Sequence, residues 1–495
     1  KRLADTCIEA ARSAERASLE RQHAANAAFA LYGGRSAVPA GAIGSTTKQQ
    51  EAAVNFLARA IDTLVAEVTQ SDIKPQCCTK GGDWKHQNRA RRLTSWVQTR
   101  QEHARSSNII RAACTDAAVA RFGCVRAYRE GASCWVERID PRAILFDDRQ
   151  CTDVPPREIY IRRAIPRHHM VDLYPEHEQG LRSAPRPRTT YWLEVGASAD
   201  VVEVIEAWHL PSQLDADDGR HCIVVQGCEP LLEEHFNRSR FPLCFIFATP
   251  QPRGFGSGES VVERAAPAQA ELNRKLWRRA KVEHLLAVPR IFVPAGSIQK
   301  AHLQNGIGDV VEFSGQQPPV FVPAMAMGPA WDAGIEQMKA WVFELAGVSG
   351  LAASAIKPAG LNSGKALRNY HEFTTRQWVN FERSIADAKC DLAEDMIEVQ
   401  RSIAEDGEST VYYRDKGRGH EIAWSEIDID HDKLHMMIAP VNAIASDPSS
   451  ALEDIIEVVD KGLLSPAEGL EMMPTADFDA VRQRFGRRHK RDDRG

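Results

Sequence analysis

The spacing of hydrophobic and polar positions changes several times along the chain, and each change marks an element. Leu3 to Leu31 repeats alanine and larger apolar residues at helical spacing, and Gly33 to Gly44 then has the glycine and proline content of a loop. Val54, Leu57, Ile61, Leu64 and Val68 predict a second helix, starting near Thr46 and ending before Pro75. After Gly81-Gly82-Asp83 a charged helical region runs to about Asn108, and Ile109 to Ala120 is apolar enough to be buried. From Cys124 to Asp147 the pattern becomes short β-favouring pieces broken by Gly131 and Asp140-Pro141, and such pieces recur over Tyr191 to Leu210 and His221 to Gln226. Phe241 to Thr249, with Cys244, Phe245, Ile246 and Phe247 between prolines, is short enough to be one buried strand rather than a membrane span.

Beyond this strand the elements lengthen. Gly254, Gly256 and Gly258 predict a flexible hinge ahead of a helix from Glu259 to about Ala287 that contains Pro267 and spans about 30 to 40 Å. The insert from Val288 to Gly328 carries Pro289, Pro294, Pro318, Pro319 and Pro323 among short apolar pieces, which suits small β structure. A second helix runs from Pro329 to about Leu345, with Trp331, Ile335, Met338, Val342 and Leu345 along one stripe, so it can return beside the first. Gly347 to Gly364 is rich in Gly, Ala and Ser with Lys357 as its only charge, which predicts a mobile loop, and Asn362 or Ser363 can cap the next helix. Lys365 to about Ile403 is the longest helical pattern, about 60 Å, with Phe381, Ile385, Ala388, Leu392, Met396, Val399 and Ile403 on one face. Val411 to Tyr413 and Glu421 to Ile429 return to strand character, and from Ala451 the chain reads as helical again, with a capping box at Ser465-Pro466-Ala467-Glu468.

Composition narrows the class. A chain of 495 residues exceeds one ordinary core, and 43% hydrophobic with 26% charged residues is globular rather than disordered or membrane-embedded. No apolar run reaches the roughly 20 residues of a membrane helix, and the start at Lys1 lacks a secretory apolar stretch, so no membrane anchor is expected; a first residue other than Met and a charged end suggest an ordered part of a longer product. Eleven cysteines without a C-x-x-C pair predict reduced thiols. A net charge of -5 excludes bulk polycation behaviour, so any nucleic-acid contact must come from a local patch.

One such patch stands out. Arg274, Lys275, Arg278, Arg279 and Lys281 form a basic run with no acid inside it, and Arg274, Arg278 and Lys281 share one helical face. Its bland counterpart is a solvated face, or a set of partners for a neighbouring subunit's acids. For Trp277, Trp331 and Trp341, packing between helices is the expected role. Enzyme-like signals are weaker. Gly360 to Lys365 approaches a phosphate loop but has three residues between its glycines and Ala366 after the lysine. Glu426, Asp428, Asp430 and Asp432 would line one face of a strand, where a divalent cation could sit, although a solvated face is the simpler expectation. His221, Cys222, Cys228 and His235 match no zinc spacing and are read as core. No catalytic, cofactor or metal residue is therefore expected.

The order of hinge, helix, small β insert, helix, mobile loop and very long helix resembles the portal proteins, or head-to-tail connectors, of tailed bacteriophages. The residues that carry it are Arg253-Gly254-Phe255-Gly256-Ser257-Gly258 before a helix with Gln269 and Asn273, and the Gly347 to Gly364 loop before Lys365-Ala366-Leu367. Ala60-Ile61-Asp62-Thr63-Leu64 and Asp460-Lys461-Gly462-Leu463-Leu464-Ser465 add to it, whereas Arg487 to Arg491 at the end departs from the pattern. The resemblance implies a mainly helical α+β subunit. Its wing would be residues 1–258 together with 365–450, its stem helices 259–287 and 329–346, its clip 288–328, its tunnel loop 347–364 and its crown 451–495. It also implies a homo-oligomeric ring of about twelve copies, closed by heterologous contacts. Such a ring sits at one capsid vertex of the virion beside the major capsid protein, carries double-stranded DNA in packaging and ejection, and docks terminase and head-completion or adaptor proteins. Arg274, Arg278, Lys281, Lys357, Asn362 and Lys365 would then be the residues nearest DNA. The rival expectations are a phage nucleic-acid-processing enzyme built on the carboxylate strand, and another capsid structural protein.

Overall fold

The computed structural model describes residues 2–34, 54–70, 73–79, 84–151, 156–187, 200–213, 216–252, 254–287, 290–292, 320–322, 329–348, 378–407, 409–415, 418–430 and 433–438. It is a mixed helical and sheet protein. Contacts divide it into two units, one from Lys1–Gln22, Leu64–Ser260 and Thr375–Gly495, the other from His23–Thr63 and Val261–Thr374.

In the first unit, β4 (Ile144–Leu145), β5 (Glu158–Pro166), β6 (Val201–His209), β7 (Arg220–Val225) and β8 (Leu232–His235) pair antiparallel in that order, with the short helices α6 (Arg167–Leu173) and α7 (Glu178–Ser183) between β5 and β6. Helix α1 (Arg2–Ala17) lies on one face. Its Ala4, Cys7, Ile8, Ala11 and Ala14 recur at helical spacing and pack on Tyr160, Ile205, Ala207, Cys222 and Val224 of the sheet. The expected single helix from Leu3 to Leu31 is interrupted at Ser18, beyond which α2 (Leu19–Tyr32) begins. The Ser18 hydroxyl turns back to donate to the Glu15 carbonyl, a local bond by which serine competes with the helical ladder.

A second, three-stranded sheet has the order β3 (Ser133–Ile139), β2 (Phe122–Glu130), β9 (Cys244–Phe247). Register assigns its two faces. Phe122 opposes Phe247 and Cys124 opposes Phe245, so this side carries aromatics and joins Ile144, Ile159, Ile161 and Trp208 of the larger sheet in one core. Gly123 opposes Ile246 and Val125 opposes Cys244 on the other side, which receives the helices α5 (Ser106–Ala120) and α10 (Val379–Glu405). The long-helix stripe is borne out at Phe381, Ile385, Ala388, Leu392, Met396 and Ile403, all buried, while Val399 is half-buried. Arg240 straps the loop before β9 onto α10 through Asp395 at 3.0 Å and Glu394 at 3.3 Å.

A third layer pairs β1 (Pro75–Thr79) with β14 (Leu434–Ile438), and β12 (Thr410–Asp415) with β13 (Arg418–Ala423). Helix α4 (Trp84–His103) holds both pairs, since Thr94 accepts from the Cys77 amide and Thr99 from the Arg414 amide, each at 3.0 Å. The strand expected over Glu421 to Ile429 ends at Ala423. A helical turn, α11 (Trp424–Ile427), replaces the rest, because Trp424 folds inward to meet Trp96 edge to face at 5.1 Å and Ile427 is buried beneath it.

In the second unit, α3 (Phe56–Val68), which crosses the unit boundary, starts later than the apolar spacing predicted. Val54 precedes the helix, and Asn55 accepts from the Ala58 amide at 3.0 Å as its N-cap. Helices α8 (Val261–Ala287) and α9 (Pro329–Leu345) match the predicted pair within two residues, and the chain between them contributes β10 (Arg290–Phe292) paired with β11 (Val320–Val322). Among the described residues no helix is long and apolar enough to cross a membrane.

Candidate functional site

Three of the six residues singled out for DNA contact, Arg274, Arg278 and Lys281, lie on α8, and its partner α9 runs antiparallel to it. Lys275 donates to the Gly334 carbonyl at 3.4 Å, while four residues further along α8 Arg279 pairs with Asp332, two residues earlier on α9. Gln269 anchors the start of α3 to this pair. Its Oε1 accepts from the Leu57 amide at 3.1 Å, and its Nε2 donates to the Val54 carbonyl at 2.8 Å and to Asn273 Oδ1 at 3.0 Å. Phe56 then meets Phe343 edge to face at 6.2 Å. Gln269 is completely buried, so Gln269→Leu would keep the volume and strand the Leu57 amide. A loss of about 2 kcal/mol is expected for that change. Hydrogen exchange at the first amides of α3 should accelerate, and unchanged protection there would refute the anchoring role.

The basic run divides in two. Arg274 is paired with Glu271 at 2.7 Å, and Arg279 with Glu283 at 2.7 Å as well as with Asp332. Lys281 lies over the Trp277 ring at 4.9 Å, a cation on a π face that leaves its charge uncancelled. Arg278 is exposed and has no ion pair among the described residues. Arg274, Arg278 and Lys281 are all exposed, as their shared helical face requires. Lys357, Asn362 and Lys365 lie outside the described residues, as do most of Val288 to Gly328, most of Gly347 to Gly364 and everything from Ala451 onward.

The packing expected of the tryptophans needs correction. Trp331 and Trp341 are 41% and 44% exposed, because Ile335, Met338, Val342 and Phe343 fill the inward stripe of α9. With Leu345 these tryptophans form an exposed apolar flank within about 80° of arc, taking 100° per residue.

Two of the three glycines placed at the hinge have a backbone that favours glycine, with φ of 100° at Gly254 and 74° at Gly256. The loop is nevertheless well tied. Ser257 donates to the Gly254 carbonyl at 2.7 Å, the Gly258 amide donates to Gln251 at 2.7 Å, and Phe255 enters the cluster of Phe122, Phe146, Phe245 and Phe247.

The carboxylates read as a possible cation site do not lie along one strand, because Trp424–Ile427 is helical. Asp428 binds Arg401 at 2.9 Å, Asp430 binds Lys433 at 2.7 Å, Glu426 is exposed on the helical turn, and Asp432 lies outside the described residues. The alternation that suggested a common face disappears once Trp424 to Ile427 coil. Among the described residues no group of three metal-ligating side chains converges.

Sequence reasoning missed a charge network between the two sheets of the first unit. Arg126 on β2 bonds Glu137 and Glu206 at 2.5 Å each, Arg163 reaches Glu137 at 2.7 Å, and His221 lies between Glu206 at 3.3 Å and Glu234 at 2.6 Å. Trp208 stacks on His221 with centroids 3.6 Å apart. Burial by itself would raise the Glu206 carboxyl, but Arg126 and His221 outweigh it and hold it at about 2. Burial would likewise lower His221, and its two carboxylate partners raise it instead. These partners are far apart in sequence, so only the alternation of β6 and β7 hinted that Glu206 and His221 point inward. His221, Cys222 and Cys228 are buried, as the core reading expected, while His235 is exposed.

Compared with protein-family models and with curated proteins, the chain has no match.

Proposed function

We propose that the chain is the repeating subunit of a ring that conducts double-stranded DNA, of the portal kind, and that it is not itself an enzyme. One observation carries the reading: two long antiparallel helices, joined through a short β ladder, with an exposed basic face on the first. In that reading α8 and α9 are the stem, the segment holding β10 and β11 is the clip, and the sheets packed with α10 belong to the wing. The exposed flank of Trp331, Trp341 and Leu345 suits the apolar contact that a neighbouring subunit would cover. Arg274, Arg278 and Lys281, repeated around an axis, would form a positive belt that attracts phosphates without reading bases. Such a subunit would work at a capsid vertex, receive DNA from terminase and later bind head-completion proteins.

Electron microscopy of the purified chain should show rings with a central hole, and a compact particle without one would sink the proposal. Neutralising Arg274, Arg278 and Lys281 to Gln together should leave rings intact and weaken duplex DNA binding. The dependence of log affinity on log salt should flatten by roughly 0.9 for each phosphate contact removed. Loss of rings in that variant would assign the run to subunit contacts instead.

A further inference from the structure

The first unit contains a cleft of about 510 Å³ between the end of α1 and the adjoining face of the five-stranded sheet. Four arginines, Arg12, Arg16, Arg162 and Arg186, line it against two carboxylates, Glu15 and Glu203, an excess of two positive charges. Arg162 forms the floor. It projects from β5 on the same sheet face as Tyr160 and Ile205, its side chain is only 6% exposed, and it is held by Glu15 at 2.8 Å and Glu203 at 3.7 Å. Arg12 and Arg16 form the rim, one turn apart on one helix face, where like charges repel. They bond to neutral oxygens, Arg12 to the Gln226 side-chain carbonyl at 3.0 Å and Arg16 to the Arg12 backbone carbonyl at 3.3 Å, so neither charge is cancelled by these bonds. Between the guanidiniums the lining is apolar, with Leu145, Ile205 and Val225.

We propose that this cleft binds a small phosphomonoester carrying an organic group, such as a nucleoside monophosphate. Guanidinium forks match phosphate oxygens two by two, and the two charges of Arg12 and Arg16 equal those of a doubly charged phosphate. The volume lies within the roughly 300 to 1,000 Å³ of small-ligand sites and exceeds what phosphate alone would fill, leaving the apolar wall for the organic part. The anion would also relieve the repulsion between Arg12 and Arg16. The site shares no residue with the basic face of α8 and does not depend on the ring reading.

Titration calorimetry of the full chain with adenosine monophosphate at low salt tests this, with inorganic phosphate, adenosine and a short DNA duplex as parallel probes. Adenosine monophosphate should bind, inorganic phosphate more weakly and adenosine not at all. The rim variant Arg12→Gln with Arg16→Gln should weaken the nucleotide at least tenfold while the circular dichroism spectrum stays unchanged. Arg162→Met should abolish binding, and if that variant does not fold, the exposed rim pair decides alone. The proposal is overturned by absence of binding to the folded wild type, by equal binding of adenosine, by a rim variant that binds as tightly as wild type, or by binding of the duplex alone.

Discussion

Gly123→Ala is expected to leave little folded protein. Gly123 lies in β2 on the face that receives α5, and a Cβ there would collide with the backbone carbonyl of Ala113. A backbone atom cannot swing aside as a side chain can, so helix and sheet would have to separate. That opens a core in which Ala113, Cys114, Ala117 and Val119 are completely buried. Overpacking at a yielding site costs about 1 to 3 kcal/mol, and this site exceeds that range because both colliding parts are main chain. Gly131→Ala provides the comparison. Gly131 has a positive φ, 60°, but nothing lies within 4 Å of the added atom, so its cost is about 1 kcal/mol of backbone strain. Soluble yield and thermal melting of the two variants should differ sharply, and equal melting temperatures would show that α5 does not sit on Gly123.

Glu206→Gln should be the second most damaging change, at about 3 kcal/mol or more. The carboxylate serves Arg126, His221 and the Trp208 indole at once and is 8% exposed. Removing its charge leaves the largely buried Arg126 with Glu137 as its remaining partner in the network, and breaking a buried pair from one side costs up to about 3 to 5 kcal/mol. The substitution should also alter the pH profile in a defined direction. Because Glu206 is held down at about 2 in the folded chain, its contribution is complete above the unfolded value of about 4.3 and fades as pH falls towards 2. His221 acts in the opposite sense. Its folded pKa is raised, so its contribution is complete below its unfolded value of about 6.5 and is lost as pH rises through the higher folded value. Melting temperature measured from about pH 2 to about pH 9, which spans both groups, should therefore show wild type losing stability at each end and Glu206→Gln flattened at both. A variant that keeps the wild-type slope above neutrality would remove Glu206 as the partner that raises His221.

The long helices were legible in the sequence alone. α9 begins at Pro329 and ends at Leu345 as its stripe predicted, α8 begins within two residues of the expected start, and the buried face of α10 matches the apolar repeat read from Phe381 onward. Helical periodicity is a local property, and over many turns it outweighs single-residue exceptions such as Pro267 inside α8. The apolar strand at Cys244 to Phe247 was legible for the same reason, since length and composition define it without reference to partners. The basic run, too, was visible as spacing, although spacing did not reveal which charges are already paired.

Packing in three dimensions settled the rest. Alternation from Glu426 to Asp432 satisfied a strand pattern, but burying Trp424 against Trp96 favours a helical turn, and the carboxylates scatter to different cations. The stripe on α9 held at Ile335, Met338 and Val342, yet only packing showed that Trp331 and Leu345, read as part of it, are exposed, as is Trp341. The network of Arg126, Glu137, Glu206 and His221 and the cleft of Arg12, Arg16 and Arg162 bring together residues from distant strands and a helix. Pattern along one chain records which face a side chain takes. It does not record which other face will meet it, because that is settled by sheet register and by the global competition to bury apolar surface.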